Sequence, residues 1–545
     1  MTTTVGRLLV GMVVGGSMLW SAGVVVAQGG EVCFQRFKNS NVGTEFYFSF
    51  PPCFEDEAFG GQNNVVIYIA SWVRGKVKVE VTAKGFLREL YTIPNDVVEV
   101  VLTPEIGQPY RKRGTQDPPS EDEPYRAAGI RVVAEVPVAV YGVTRYVYTT
   151  DAFMVIPVSM LGTEYVIASY PDMVGMYMPW YTNIPSETVI VAAHDNTEVF
   201  FTLYGNPSTR TSGGMRPGQT KRWTLNKGDV VAIGTVGPEA DLSGSLVRAT
   251  KPVAVVSGNQ CTNVPTSIRW CDFTCEMELP TYAWGRTYFV TPIFGGSRFR
   301  GQNSVIRIFA KESNTKVYLD GQEWAVIRRG PGGMRGEGWL DIEDPDPAEV
   351  RPIVISADKP IQVVQYNKGQ ESDWIPTDPF EMALPSLEQS QTHVIFATPG
   401  AAGGAVAPFG RNFINLVFPL NEDGTVPSDL EFGELRGGQI VWTPVRSRFD
   451  PTRVPFRIRV NGRLWAFKVL RLPNTGAFQI RSRSGNFPFM AYSYGGSDYD
   501  SYGFVTTMAF GKMLDPADTL PPLVTWSQRC DGFVEGFAVD RPGEA

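Results

Sequence analysis

One short pattern occurs four times in this chain, and it constrains the fold more than any other feature. An X-Pro pair leads an apolar run at Val136-Pro137, Lys251-Pro252, Lys359-Pro360 and Phe487-Pro488. The runs are Val138-Ala-Val-Tyr-Gly142, Val253-Ala-Val-Val-Ser-Gly258, Ile361-Gln-Val-Val-Gln365 and Phe489-Met-Ala-Tyr492. Their spacing of about 105–130 residues is that of domains, well above a solenoid period. A repeated unit multiplies shape and surface rather than one catalytic centre, so the pattern points to a binding or structural protein.

Other marks keep step with it. Each unit opens on an aromatic strand: Gly43-Thr-Glu-Phe-Tyr-Phe48, Gly162-Thr-Glu-Tyr-Val166, Gly285-Arg-Thr-Tyr-Phe-Val290 and Gln391-Thr-His-Val-Ile-Phe396. Apolar runs follow at Val65–Ala70, Val189–Ala193 and Val305–Ala310, with polar turns at Asp195-Asn-Thr197 and Ser313-Asn-Thr315. Lys76–Thr82 alternates, with Val77, Val79 and Val81 on one face, which is a strand with one side in a core. Thr315–Gly321 repeats this with Val317 and Leu319 inward. Asp320-Gly321 and Asn461-Gly462 are hairpin turns. The repeated Pro is expected at a strand's first residue, since it cannot donate to a ladder. Units one to three close on an acidic-aromatic-Pro junction: Asp151 to Pro157, Asp272 to Pro280, Asp378 to Pro385. The fourth unit lacks a clear one, as suits a diverged terminal repeat. No long amphipathic helix is legible. The expectation is an all-β protein of four tandem β-sandwich-like repeats, packed as one rigid body. The units are 28–158, 159–281, 282–388 and 389–512, with a tail at 513–545. The insertions at Gly107–Tyr125, Arg328–Met334 and Ala401–Pro408 are expected to be mobile tips.

The net charge is −7. Lys and Arg read as scattered, without a basic stripe, which argues against nucleic acid. Residues 1–27 read as a signal peptide: Arg7, an apolar Leu8–Val26, and a Val25-Val-Ala27 cleavage site. The same stretch is close to the ~20 residues of a membrane span, which leaves an uncleaved anchor as the alternative to cleavage; no other segment is apolar enough to span a bilayer, so the cleaved mature chain is expected to have no membrane span and to lie outside the cytoplasm. The six cysteines, Cys33, Cys53, Cys261, Cys271, Cys275 and Cys530, suit structural disulfides in an oxidising compartment. Cys530 is placed to tie the tail to Cys33 or Cys53. Cys271-x3-Cys275 has no His partner, which argues against zinc.

The second unit carries a family resemblance. It runs from Gly228-Asp-Val-Val-Ala-Ile through Asp241-Leu-Ser-Gly-Ser, Lys251–Cys261, Val264-Pro265, Cys271-Asp272 and Glu278-Leu-Pro280 to Trp284-Gly285, Tyr288–Val290 and Pro292. This ordered set resembles the N-terminal domain of IgGFc-binding proteins, over most of residues 43–400 and more weakly over the rest. The resemblance implies an extracellular β-rich adhesion or binding module. In the animal mucus protein that names the family, the domain precedes many Cys-rich von Willebrand D-type domains, which six cysteines could not build. The chain looks like the free-standing bacterial-type members, secreted or surface-associated. No residue motif for antibody binding carries over. The resemblance does imply a Cys261–Cys271 disulfide.

Little in the chain suggests catalysis. Its two histidines, His194 and His393, have no nucleophile motif beside them. The acidic run Asp341, Glu343, Asp344, Asp346 and Glu349 lacks the Gly of a calcium loop and is broken by Pro345 and Pro347. No cofactor and no metal site is expected. The aromatic loop Tyr177-Met-Pro-Trp180-Tyr181 is the candidate ligand-contact site, because loop aromatics stack on sugars or anchor proteins. The functional expectation is a secreted or cell-surface, non-enzymatic binding or adhesion protein for an extracellular protein or glycan ligand. The alternatives are a structural component of an extracellular layer, and a carbohydrate-active enzyme with a carboxylate pair that is distant in sequence.

Overall fold

The computed structural model describes residues 39–55, 63–112, 116–172, 183–268, 270–293, 304–343, 352–369, 378–400, 409–448, 456–473, 476–497, 500–506 and 508–510, and the backbone of 523–528 and 534–539. Asn39–Leu514 forms one compact unit.

Its first seven strands make one bent sheet: β1 (Val42–Phe48), β2 (Asn64–Ser71), β3 (Lys76–Val81), β4 (Phe86–Tyr91), β5 (Asp96–Leu102), β6 (Ile130–Tyr146) and β7 (Thr149–Val155). The first half of β6, up to Ala134, pairs with β3 and β1. The second half, from Ala139, pairs with β2 and β7. β4 adds to β3 and β5 to β2. One long strand therefore turns a corner and supplies both layers of a sandwich. Pro137 sits at that corner, inside β6. The strand-head position expected from sequence is corrected. The missing N–H is tolerated because the strand changes partners there, leaving a gap in the ladder.

The plan recurs in order. The second sheet holds β8 (Gly162–Val166), β9 (Ser186–Ala192), β10 (Thr197–Thr202), β11 (Thr220–Leu225), β12 (Val230–Gly234), β13 (Leu246–Thr262) and β14 (Asp272–Met277). The third holds β15 (Gly285–Val290), β16 (Ser304–Ala310), β17 (Thr315–Leu319), β18 (Gln322–Ile327), β19 (Trp339–Glu343), β20 (Ile353–Asn367) and β21 (Glu381–Ala383). Pro252 and Pro360 again lie within the long strands. Apolar side chains from both layers fill the space between them. In the second repeat Tyr165, Val199, Phe201 and Trp223 of one layer meet Ile190, Val231 and Ile233 of the other.

The fourth repeat holds β22 (His393–Thr398), β23 (Arg411–Pro419), β24 (Leu430–Arg436), β25 (Gln439–Pro444), β26 (Phe456–Val460), β27 (Arg463–Leu472), β28 (Gly476–Ser482), β29 (Met490–Ser497) and β30 (Asp500–Val505). Here the corner strand is cut into β28 and β29. The sandwich therefore registers as two sheets, β22-β28-β24-β25 and β26-β27-β23-β29-β30. The break contains Gly485 at φ 80°, a left-handed turn that glycine adopts at no steric cost.

Burial separates the layers. β3 alternates buried and half-buried, and β10 does the same. β2, β9 and β16 are buried at every position. Alternation marks an outer layer facing water, and continuous burial marks an inner layer covered on both faces. In β17 Thr315 and Val317 are buried while Leu319 is only half-buried, a partial correction of the expected pattern. Asn196, Asn314 and Asn461 all take positive φ in the turns, as the polar turn chemistry requires.

Two insertions expected to be mobile are instead docked on neighbouring repeats. In 107–125, the buried Glu121 accepts from Thr211 Oγ1 at 2.7 Å and Gly213 N at 2.7 Å, and Tyr125 pairs with Val230. In the Gly-rich 328–334 loop, Gly333 N donates to Gly244 O at 3.0 Å. Ala401–Pro408 lies outside the described residues. The second compact unit gathers the two termini, where β31 (Leu523–Gln528) and β32 (Val534–Val539) form an antiparallel hairpin.

Candidate functional site

The last strands of the four repeats, β7, β14, β21 and β30, meet at the centre of Asn39–Leu514. β7 packs against β14 and β30, and β21 completes the circle between those two. The ends of the unit close the ring: Asn41 N donates to Met508 O at 3.2 Å and Phe510 N to Asn39 O at 2.7 Å. The Asp-aromatic segments read as inter-unit junctions are thus the axial strands. Asp500-Ser-Tyr502 fills the same place in the fourth repeat, correcting the reading that it had none.

Asp151 is the hub. Its carboxylate accepts Ala152 N at 2.8 Å and Gly503 N at 3.2 Å on Oδ1. On Oδ2 it accepts Cys275 N at 2.9 Å and Glu381 N at 3.0 Å. One side chain therefore binds the backbone of all three other repeats. Burial pushes this carboxyl well above its ordinary range, while the four N–H groups pull it down. A proton on either oxygen displaces a donor.

Above the hub lies a tight acidic group. Asp272 Oδ1 accepts Thr149 Oγ1 at 2.5 Å, Thr150 N at 3.1 Å and Phe273 N at 2.7 Å. Asp500 Oδ2 accepts Thr150 Oγ1 at 3.3 Å and lies 3.8 Å from Arg145 Nη1. Burial pushes Asp500 up to about 7 despite Arg145. Asp272 is also raised, first by burial and then by the charges of Asp500 and Asp378. Glu276 and Glu381 are raised by burial too, and Glu278 is pushed up to about 8. These groups share one desolvated interior, and burial is the first cause of the upward shift of each. Among the described residues no cluster of His, Cys, Asp or Glu is arranged to hold a metal ion.

At the described tips of the first two repeats, side chains reach solvent. Because Thr149 bonds both Asp272 and Phe273 N, β7 and β14 start level, and the residues just before them emerge on one side. Tyr148 and Trp270 do so, 52% and 46% exposed. Both have left-handed backbone, φ 61° and 72°. For a bulky residue that conformation costs about 1–2 kcal/mol. Trp270 ends the loop closed by the Cys261–Cys271 disulfide, whose Cα atoms are 5.1 Å apart. Replacing both cysteines by Ser is expected to lower stability by about 2–3 kcal/mol through lost loop closure; a denaturant midpoint unchanged from wild type would refute it. Cys53 and Cys275 are buried free thiols, which removes Cys53 from the two partners expected for Cys530. Cys33 and Cys530 lie outside the described residues.

The sequence candidates Tyr177, Trp180 and Tyr181 also lie outside the described residues. His393 sits between the rings of Trp72 and Trp442, with Nε2 at 2.9 Å from Gln479 Oε1, a packing role without a nucleophile. His194 is exposed. Asp341 is taken up by Arg307 at 2.9 Å and Arg335 at 3.3 Å, so it is no open calcium ligand. Sequence reasoning missed Asp151 and Asp500, although the recurrent Asp-aromatic pair was the signal for them.

The family model described as IgGFc binding protein matches residues 151–495. The IgGFc-binding protein of Homo sapiens is 28% identical over 263 residues, which is 47% of this chain and 4% of that protein. The chain thus spans a small fraction of the length of this relative.

Proposed function

Because the chain belongs to the IgGFc-binding protein family, we propose that it is a secreted or cell-surface, non-enzymatic binding protein whose ligand contacts the tips of the first two repeats. The observation that carries this is the pair of exposed aromatics, Tyr148 and Trp270, held at positive φ by the rigid strands beneath them. Strained, solvent-facing aromatics on a fixed scaffold offer contact area at low entropic cost. The loop Tyr177, Trp180 and Tyr181 is proposed as a second contact. The relative's name supplies antibody Fc as one ligand to try, alongside mucin and glycans.

The test is a binding screen of residues 28–545 against IgG Fc, mucin and glycan arrays. Tyr148→Gly with Trp270→Gly relieves the backbone strain, so stability is expected to fall by no more than ~1 kcal/mol. Affinity for the ligand found is expected to fall at least about tenfold, as for loss of an aromatic anchor. Full affinity in that variant, with loss in Trp180→Ala/Tyr181→Ala, moves the contact to the second loop. An absence of any ligand removes the reading and favours a structural role.

A further inference from the structure

Basic residues are not scattered in the fourth repeat. Between positions 444 and 483 lie Arg446, Arg448, Arg453, Arg457, Arg459, Arg463, Lys468, Arg471, Arg481 and Arg483, against the single acid Asp450. Nine net positive charges thus sit in one short stretch of a chain of net charge −7. The earlier reading of scattered charge is corrected: apolar residues alternate with these arginines, which hides the cluster from a search for consecutive basic residues.

The fold splits the cluster in two. Arg448 pairs with Glu434, and Arg481 and Arg483 pair with Glu431 and Asp429. No described carboxylate pairs with Arg457, Arg459, Arg463 or Arg471, and all four are exposed. β26 is the outermost strand of its sheet. Arg457 and Arg459 lie two residues apart on one face of it, at a spacing of about 6.6–6.8 Å. Arg463 stands opposite Val460 across the hairpin. Its Nη2 donates to Asn486 O at 3.2 Å, and its guanidinium lies 5.8 Å from the Phe487 ring centre, which fixes its orientation.

We propose that the β26–β27 hairpin is a docking edge for an anionic polysaccharide bearing sulfate or carboxylate groups. Charge complementarity names the occupant: guanidinium groups without a described carboxylate partner, Arg459 and Arg463 each held by one backbone carbonyl, present planar donor pairs that match sulfate and carboxylate oxygens. Charges on an edge strand also block sheet-to-sheet pairing, but one or two suffice for that. The site is separate from the aromatic tips, so either can fail without the other.

The probe is heparin, with chemically desulfated heparin and a single-stranded DNA oligonucleotide as comparison arms, titrated against residues 28–545 at low and physiological salt. Heparin is expected to bind saturably and more weakly as salt rises, with little binding of the desulfated form. Arg457→Ser/Arg459→Ser/Arg463→Ser is expected to lose roughly tenfold or more in affinity. Lys84→Gln/Arg88→Gln, at exposed positions in the turn before β4 and on β4 itself, is expected to retain it. If the triple variant does not melt with wild type, Arg459→Gln alone serves, with a smaller loss expected. No heparin binding at low salt, equal affinity in the variants and wild type, or DNA binding as tight as heparin each overturns the proposal.

Discussion

Asp151→Ala is expected to destabilise the ring by about 4–6 kcal/mol, more than any other single change considered. The substitution strands four backbone N–H groups, and a buried donor left without a partner costs about 1–3 kcal/mol. The sum is not taken in full, because the site relaxes and burial of the carboxyl has its own cost. Three of the donors belong to other repeats, Cys275, Glu381 and Gly503, so the loss falls on all interfaces at once. Asp151→Asn keeps the shape but turns an –NH2 towards two N–H donors, and about 2–4 kcal/mol is expected. Glu123→Ala, at an exposed position, is expected within ~0.5 kcal/mol of wild type. Denaturant unfolding measures all three. A loss under ~1 kcal/mol in Asp151→Ala would show that the hub does not hold the ring.

Thermal stability is expected to fall as pH rises from about 5 to about 8. Burial pushes the folded carboxyls of Asp500 and Glu278 up to about 7 and about 8. Those of Glu187, Asp272, Glu276 and Glu381 are raised by burial as well. Each folded value lies above the unfolded one, so the native state holds more protons. The stability they contribute is complete below pH ~4 and is lost as pH climbs through the folded values. Surface carboxyls lowered by cationic partners, Glu80 by Lys78 and Arg131 and Glu434 by Arg448 and Arg436, act with the opposite sign, but their contribution is already complete above pH ~5, is lost only as pH falls below that, and is screened by water. Lys112, pushed down to about 8 by burial, adds stability only above that pH. The melting temperature should therefore be higher at pH 5.5 than at pH 8, a difference that Asp500→Asn should reduce. A melting temperature that is level or rises over that interval contradicts the assignment of buried protonated acids.

The sequence by itself determined the local state of each segment and the number of units. Val77, Val79 and Val81 face inward because a strand's side chains alternate, and no partner is needed to read that. Asn196, Asn314 and Asn461-Gly462 marked turns because few residues tolerate positive φ. Four X-Pro runs counted four sandwiches, and the ordered motifs of the second unit pointed to the family. Tertiary structure alone decided what those segments meet. Pro137 looked like a strand start because the ladder gap it occupies depends on β6 changing partners, which no local pattern records. Gly107–Tyr125 looked mobile because the groups that bury Glu121 lie in the next repeat. The Asp151 carboxylate meets N–H groups 230 and 352 residues away, and a strand's periodicity carries no information at that range. Closure of the ring turned four similar junctions into one buried acidic centre, with the physical cause in desolvation and shared donors rather than in any residue's own preference.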